Sequence, residues 1–246
     1  MTRIAVISDI HGNGVALDAA LDDIRRASVD QVVCLGDAIQ GGAQPAETVR
    51  RLRELACPVV MGNADAWMLT GVQTGDEPFT EMQERVRQWS LAHLSPDDQA
   101  FIAAFTPTVT LPLSADRQLL CFHGSPASFD EVLLPTTPPD DFRRALASHV
   151  PAIMTGGHTH LQQVRRLDDT FFFNPGSIGV AYDHDQPRAT FRLDPWAEYA
   201  ILSESDGVLG LEFRQVPLPL DALRAALTAT DHPDAARLLR EYGLSR

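Results

Sequence analysis

Short apolar runs alternate with amphipathic segments at the start of the chain. Residues 3–8, 31–35 and 58–61 are rich in apolar residues and predict buried strands. Between them, residues 13–27 and 45–56 carry apolar side chains near helical spacing. Strands that alternate with helices imply parallel βαβ units, so this part predicts an α/β sheet covered on both faces.

The pattern changes at residues 64–106, which predict helices only. Phe79, Met82, Val86 and Trp89 form one apolar stripe. The sequence Ser95-Pro96-Asp97-Asp98 is typical of a helix start, with a capping hydroxyl, proline at the first position and acids in the first turn. We interpret this segment as a helical insertion.

The second half predicts mostly strands. They are expected at residues 108–113, 118–122, 152–155, 162–166, 170–173, 188–193, 198–203 and 208–216, with a helix near 140–148. Two short helices, at 219–228 and 233–242, form a C-terminal tail. Because no repeat or linker interrupts the chain, we predict one domain over residues 1–246.

Polar residues follow five of these strands, each beside or close to a glycine. The strands lead into Asp9-Ile10-His11, Gly36-Asp37, Gly62-Asn63, His123-Gly124 and Gly156-Gly157-His158-Thr159-His160. Sites in open α/β sheets form outside the carboxyl ends of strands, so we expect these residues to converge on one crevice.

The set contains four imidazoles, two carboxylates and one amide. Each motif alone is weak, since Gly-Asp and Gly-Asn pairs are common turns. Seven ligands are too many for one ion, but with a shared carboxylate they suit two ions roughly 3.5–4 Å apart. Such a pair holds a bridging hydroxide as the nucleophile and neutralises the oxygens of a phosphate ester.

In this order the motifs resemble those of the calcineurin-like metallophosphoesterases, from residue 4 to about residue 180. The sequences Ser8-Asp9-Ile10-His11-Gly12-Asn13 and Asn174-Pro175-Gly176-Ser177 resemble the small bacterial and archaeal phosphodiesterase branch. The resemblance implies a mixed α/β (α+β) fold, a four-layer α-β-β-α sandwich in which helices flank a mixed β-sandwich.

The resemblance also implies two sets of metal ligands. One ion is expected on Asp9, His11 and His160. The other is expected on Asn63, His123 and His158, with Asp37 as the bridge. Asp37, Asn63 and His123 would then be catalytic through the metal-bridging hydroxide. Mixed nitrogen and oxygen ligation fits manganese, iron or zinc as the two divalent cofactor ions.

Three positions depart from the pattern of many relatives. The histidine that protonates the leaving oxygen is Ala64 here, its supporting aspartate is Gln40, and the arginine that clamps phosphate in the protein phosphatases is Gly41. Leaving-group protonation is therefore lost, while the metals and the nucleophile are retained. We predict a phosphodiesterase that prefers acidic leaving groups.

Other residues are candidates with open alternatives. A phosphomonoesterase or nucleoside-polyphosphate hydrolase would need a substitute acid, for which the candidates are Asp65, His93 and His184. Asn13 is a candidate catalytic residue beside the metals, with capping of the following helix as the alternative. A specificity pocket, or ordinary core, is predicted from Trp67, Met68, Phe79, Met82 and Trp89.

An arginine pair, a turn and two histidines complete the set of polar residues considered for the site. Arg165 or Arg166 could reach phosphate, or form a solvated pair. The turn at residues 174–177 could present donors near the metals, or be purely structural. We interpret His149 and His232 as structural.

The chain of 246 residues carries 20 Lys+Arg against 33 Asp+Glu, a formal net charge of −13. Such a surface excludes general binding of duplex DNA or an anionic membrane, and favours a small phosphate ester over extended nucleic acid. No run approaches the roughly 18 uncharged apolar residues of a membrane span. The N-terminal apolar run is shorter than the roughly 7–15 residues of a secretory signal. With Cys34, Cys57 and Cys121 read as unpaired core residues, we expect a cytoplasmic protein.

A binding scaffold is the alternative from a different class, since some proteins of this fold carry a degraded metal site. All seven positions in this chain hold competent ligand types, which favours catalysis.

Overall fold

A computed structural model describes residues 1–72, 79–146 and 152–245. Its strands are β1 (Thr2–Ile7), β2 (Gln31–Cys34), β3 (Val109–Pro112), β4 (Gln118–Cys121), β5 (Ile153–Thr155), β6 (Gln163–Leu167), β7 (Thr170–Asn174), β8 (Trp196–Ser205) and β9 (Val208–Pro217). Its helices are α1 (Gly14–Ala27), α2 (Pro45–Leu55), α3 (Asn63–Thr70), α4 (Glu81–Ala92), α5 (Pro96–Ala103), α6 (Pro139–Leu146), α7 (Leu220–Ala229) and α8 (Ala235–Glu241).

The strands form two mixed sheets. The first has the order β2-β1-β8-β9, with β1 parallel to β2 and antiparallel to β8. The second has the order β3-β4-β5-β7-β6, in which β4, β5 and β7 are parallel. The antiparallel pairing expected for the later strands is confirmed for β8 with β9 and for β6 with β7.

Alternation along the strands explains the layering. In β1, Ile4 and Val6 point into a core that they share with Leu119 of β4, whereas Ala5 and Ile7 face the helices around α1. Leu120 of the second sheet faces outward, into a third core that includes α6. Period-two burial on both faces requires a cover on each side, so the predicted four-layer sandwich is confirmed.

Two predicted strands differ in the structure. Residues 58–61 form only isolated bridges, Cys34 with Val59 and Val60 with Thr106, because Pro58 has no N–H to donate and α3 begins at Asn63. The strand predicted at 188–193 is wrong.

Residues 188–193 instead contain a 3₁₀ turn at Arg188–Thr190. The Gln186 side chain binds both the N–H and the carbonyl of Arg192, so that backbone is satisfied without a neighbouring strand. The other predicted elements lie within a few residues of their observed bounds. The last two residues of the helix predicted at 140–148 lie outside the described residues, as does His149.

Helix caps fix where the helices near the polar strand ends begin. The Asn13 side chain accepts from Ala16 N and starts α1, and capping boxes at Thr80 and Ser95 start α4 and α5. The tail helices pack on the same core as α1 through Leu223, Leu227 and Leu238. No helix within the described ranges is long and apolar enough to cross a membrane. Cys34, Cys57 and Cys121 are free, and the first and last are buried.

Candidate metal centre

The seven polar residues predicted from the strand ends meet at one edge of the sandwich. They form two groups, in each of which the ligand-type atoms of three residues lie within 4.8 Å of one another. The first group is Asp9, His11 and His160, and the second is Asp37, His123 and His158. Asn63 joins the second group, because its Oδ1 lies 2.9 Å from His123 Nε2.

The first group is tightly drawn together around Asp9, whose side chain is fully buried. Asp9 Oδ1 lies 3.3 Å from His160 Nε2 and 3.9 Å from His11 Nε2. The two histidine Nε2 atoms are 3.1 Å apart. Asp9 Oδ1 has no hydrogen-bond partner of ordinary geometry within the described part of the chain. A buried carboxylate oxygen without a hydrogen-bond donor is destabilised unless a cation binds to it.

Asp37 lies between the groups and faces both of them. Its Oδ2 is 3.7 Å from His11 Nε2, and its Oδ1 is 3.4 Å from His123 Nε2. The backbone N–H of Ala64 donates to Oδ1 at 2.8 Å and fixes the carboxylate in this orientation. One carboxylate shared between two sets of ligands is the arrangement that a pair of ions requires.

Three of the histidines are oriented by backbone carbonyls. The Nδ1 atoms of His11, His123 and His160 lie 2.8, 2.8 and 3.1 Å from the carbonyl oxygens of Gln40, Leu35 and Val180. A carbonyl only accepts, so each Nδ1 is the donor, and in the neutral ring Nε2 carries a lone pair. The Nε2 lone pairs of these rings are therefore directed at neighbouring acceptor atoms, which fits a bound cation between them.

The backbone of this site is strained where the ligand candidates stand. Asp9, His11, Asp37, His158 and His160 all adopt positive φ, between 48° and 69°. Each such residue costs about 1–2 kcal/mol relative to right-handed backbone. Strain of this kind is retained where the surrounding structure needs it, and it clusters at functional sites.

Two glycines beside the ligands are explained by close approach. A Cβ on Gly62 would lie 2.1 Å from the Asp37 backbone nitrogen and from its Oδ1. A Cβ on Gly157 would lie 2.1 Å from Ser8 Oγ. Neither site has room for a side chain, so the Gly-Asn and Gly-His motifs keep the strand ends in contact.

The electrostatics of the site are dominated by burial and by the carboxylate–imidazole contacts. Burial raises the pKa of Asp9 and Asp37, but the facing histidines offset this and hold both pKa values below their usual range. Burial lowers the pKa of His123, and the charge of Asp37 outweighs it and raises that pKa to about 9. Burial lowers the pKa of His11 and His158.

Asn13 is used fully by the protein around it. Its Oδ1 accepts from Ala16 N at 3.1 Å, and its Nδ2 donates to Gly179 O at 3.2 Å and to Tyr242 Oη at 3.3 Å. The capping interaction considered from the sequence is thus present. A catalytic role for Asn13 stays a prediction.

The candidates for a substitute acid have other contacts. Asp65 is buried and accepts from the N–H groups of Ala38 and Ile39, each at 3.0 Å. Burial and the charge of Asp37 raise the pKa of Asp65 to about 7. His93 packs against Trp89, and His184 stacks on Tyr182.

Arg165 and the turn at residues 174–177 are structural in their contacts, and Arg166 is exposed. Arg165 lies in β6, donates to the carbonyls of Leu134 and Thr137 and stacks over Phe142. In the turn, Asn174 donates to Gly157 O, and Ser177 Oγ donates to Asp9 O at 2.8 Å. These bonds hold the backbone of two ligand loops. His232 is buried at the edge of Trp89, as expected for a structural residue.

A cavity of about 240 Å³ opens beside the first group. His11 and His160 form part of its wall, together with Gln40, Gly41 and Ala64. Of the residues proposed from the sequence for a pocket, Trp67 and Phe79 line this cavity. Met68 belongs to the buried core around α1, and the Trp89 side chain donates to Asp231.

Another part of the wall comes from the C-terminal tail, which the sequence did not connect with the site. Leu223, Leu227 and Leu238 line the cavity, with Arg237 and Tyr242 beside them. Leucines at helical spacing look the same whether they face a core or a cavity. The sequence therefore held no signal for this contribution.

The family model of the calcineurin-like phosphoesterase superfamily domain matches residues 2–194. An uncharacterised protein of Methanocaldococcus jannaschii is 29% identical over 216 residues, which cover 83% of this chain and 84% of that protein. Phosphodiesterase YfcE of Escherichia coli strain K12 is 24% identical over 190 residues, 73% of this chain and 81% of that protein. The crystal structure of a metallophosphoesterase from Sphaerobacter thermophilus has a TM-score of 0.72 and 24% identity, covering 96% of this chain and 98% of that one.

Proposed function

The chain belongs to the calcineurin-like phosphoesterase superfamily, and on that premise we propose that it is a two-metal-dependent phosphoesterase that hydrolyses small phosphodiesters. The proposal rests chiefly on one observation, the shared position of Asp37. Its two oxygens face His11 and His123 at 3.7 and 3.4 Å, one in each group of ligand-type residues. A structural ion pair would need only one of these contacts.

The residues of the two groups suit the ions that the proposal requires. Four imidazoles, two carboxylates and an amide oxygen form a mixed nitrogen and oxygen donor set, without thiolate, that suits manganese, iron or zinc. Two bound divalent ions would acidify a water molecule to supply the nucleophile and would offset the charge on the phosphate oxygens.

The chain's own hydrogen bonds hold the metal-ligand candidates in a fixed geometry. The carbonyls of Gln40, Leu35 and Val180 orient three imidazoles, so little reorganisation is needed when ligands bind. Ala64 N holds the Asp37 carboxylate. Burial of Asp9 and Asp37 keeps water away from the charges and strengthens their attraction for cations.

The preference for diesters follows from the absence of an acid at two positions beside the metal centre. Ala64 and Gln40 carry no group that titrates near neutral pH. Without a general acid, which is worth about 10²–10⁴-fold, esters of weakly acidic alcohols should react slowly. The relative named as a phosphodiesterase, YfcE of Escherichia coli, agrees with this direction.

The net charge of −13 supports a small substrate. An acidic surface repels an extended polyanion, whereas the two ions confine attraction for phosphate to one small site. Turnover should therefore depend only weakly on ionic strength. We propose a cytoplasmic location on the basis of the free cysteines.

The test compares bis(4-nitrophenyl) phosphate, 4-nitrophenyl phosphate and ATP after reconstitution with manganese. Faster turnover of the diester supports the proposal. Faster turnover of the monoester or of ATP replaces it with the phosphomonoesterase or nucleoside-polyphosphate hydrolase alternative. Absence of turnover for all three, with metal bound, favours the scaffold alternative.

A further inference from the structure

The cavity of about 240 Å³ stands where the chain departs from its family's pattern. Gln40, Gly41 and Ala64 all line it, and these are the positions at which relatives carry the acid pair and the arginine clamp. Ala64 directly follows the ligand candidate Asn63, and the Gln40 carbonyl accepts from Nδ1 of His11. A phosphate ester bound at the two groups of ligand candidates can therefore place its organic group in this cavity.

A large part of the cavity wall is apolar. Trp67 and Phe79 stack with their ring centroids 3.7 Å apart, and Val86 of α4 lies beside them. Leu223 and Leu227 of α7 also line the cavity. Aromatic and aliphatic walls around one opening favour an apolar ligand that stacks and excludes water.

The charge in the wall argues against a second phosphate. Among the described residues that line the cavity, Arg237 is the one arginine, and the chain has no lysine. Arg237 donates to Asp234 and, at 2.6 Å, to Glu241. Its charge is already paired by two carboxylates, so the arginine that the described part of the chain brings to this cavity is not free to bind an anionic group.

We propose that this cavity binds the apolar, aromatic leaving group of an aryl phosphate ester, between an aromatic wall of Trp67 and Phe79 and an aliphatic wall supplied by α7. This rests on the proposed function and names the substrate class of the same site. The apolar cavity and the missing general acid favour the same substrate, because a phenolic leaving group is acidic enough to depart without a general acid. The α7 wall lies outside the residues 2–194 that match the family.

The test measures binding separately from turnover. The probes are 1-naphthylmethylphosphonate, which cannot be hydrolysed at its carbon–phosphorus bond, and methylphosphonate, which lacks the ring. Calorimetry on the manganese-reconstituted protein should give at least about tenfold tighter binding of the naphthyl compound.

Two variants of adjacent residues on α7 localise the effect. Ala226 lines the cavity, and Ala225 is exposed and does not. Ala226→Trp should weaken binding of the naphthyl compound by about tenfold or more and leave the affinity for methylphosphonate unchanged. Ala225→Trp is the matched control and should change neither. If Ala226→Trp does not fold, Phe79→Ala tests the aromatic wall and should also weaken binding of the naphthyl compound selectively.

The outcomes separate this inference from the proposed function. Equal affinity for the two phosphonates, or equal weakening by both tryptophan variants, overturns the cavity assignment even if small diesters are hydrolysed. Selective naphthyl binding without any hydrolysis of aryl esters keeps the cavity assignment and refutes the esterase.

Discussion

The Nε2 atoms of His11 and His160 lie 3.1 Å apart, although 149 positions separate the two residues in the chain. Each ring has its Nδ1 on a backbone carbonyl, so in the neutral state each Nε2 is a lone pair. Two lone pairs at this distance repel one another unless a cation or a proton lies between them. This contact therefore indicates that the site is built to bind a cation between the two rings.

Removal of one ligand from either group should remove one ion. His160→Ala is expected to leave about one ion per chain and to lower kcat/KM for an aryl diester by at least about a hundredfold. His158→Ala should do the same through the other group. His93→Ala is the control for the ion count, since His93 belongs to neither group and packs on Trp89. Two ions retained in either ligand variant, measured by elemental analysis, would contradict the assignment.

The missing acid should appear in the dependence on the leaving group. We expect the native protein to hydrolyse aryl esters faster than alkyl esters by a wide margin. The double variant Ala64→His, Gln40→Asp should narrow that margin, by up to about 10²-fold, through faster alkyl turnover. The measurement is kcat across a series of leaving-group pKa values. A native protein that already hydrolyses alkyl monoesters as fast as aryl diesters refutes this account.

The Asp37–His123 contact should make metal-free stability depend on pH. The pKa of His123 is raised from its ordinary 6.5 to about 9 in the folded state. Its contribution to the free energy of unfolding is therefore complete below pH 6.5 and is lost as the pH rises through about 9. Bound metal displaces that proton, so the metal-loaded protein should not lose stability in this window. The measurement is the melting temperature of each form between about pH 6 and pH 10. Melting temperatures that change with pH by the same amount in the metal-free and metal-loaded protein would contradict the prediction.

Asn13 offers a test of structural against catalytic roles. Asn13→Ala removes the cap of α1 and should lower the free energy of unfolding by about 1 kcal/mol. Asn13→Ser keeps a capping oxygen but loses the donor to Gly179 and Tyr242. Because the protein already uses every polar atom of Asn13, we expect the serine variant to keep kcat within about twofold. A large loss of kcat with little loss of stability would establish the catalytic role instead.

Most of the fold was accessible from the sequence because the burial pattern is regular. The alternation that places Ile4 inward and Ala5 outward is a local property of β1. The seven polar residues could be grouped because each follows a strand predicted from the sequence, and the carboxyl ends of parallel strands meet at one edge of a sheet. The strand predicted at 188–193 failed because a single side chain, Gln186, satisfies the backbone of Arg192, and no pattern announces such a bond.

The cavity beside the metals could not be predicted in full for a different reason. Trp67 and Phe79 were candidates because the insertion follows Asn63 directly. The tail meets them only through tertiary packing, about 150 residues later in the chain. Long-range contacts of this kind leave no periodic trace, since Leu223 and Leu227 fit a helix packed on any apolar surface.

We propose that two ions are required for ester hydrolysis and that they bind at Asp9, His11, Asp37, Asn63, His123, His158 and His160. The most direct measurement is metal analysis of the purified, reconstituted protein, paired with hydrolysis of an aryl phosphodiester before and after chelation. We predict two ions per chain and turnover that chelation abolishes and added manganese restores. Less than one ion per chain after reconstitution, with no turnover sensitive to chelation, would contradict the claim.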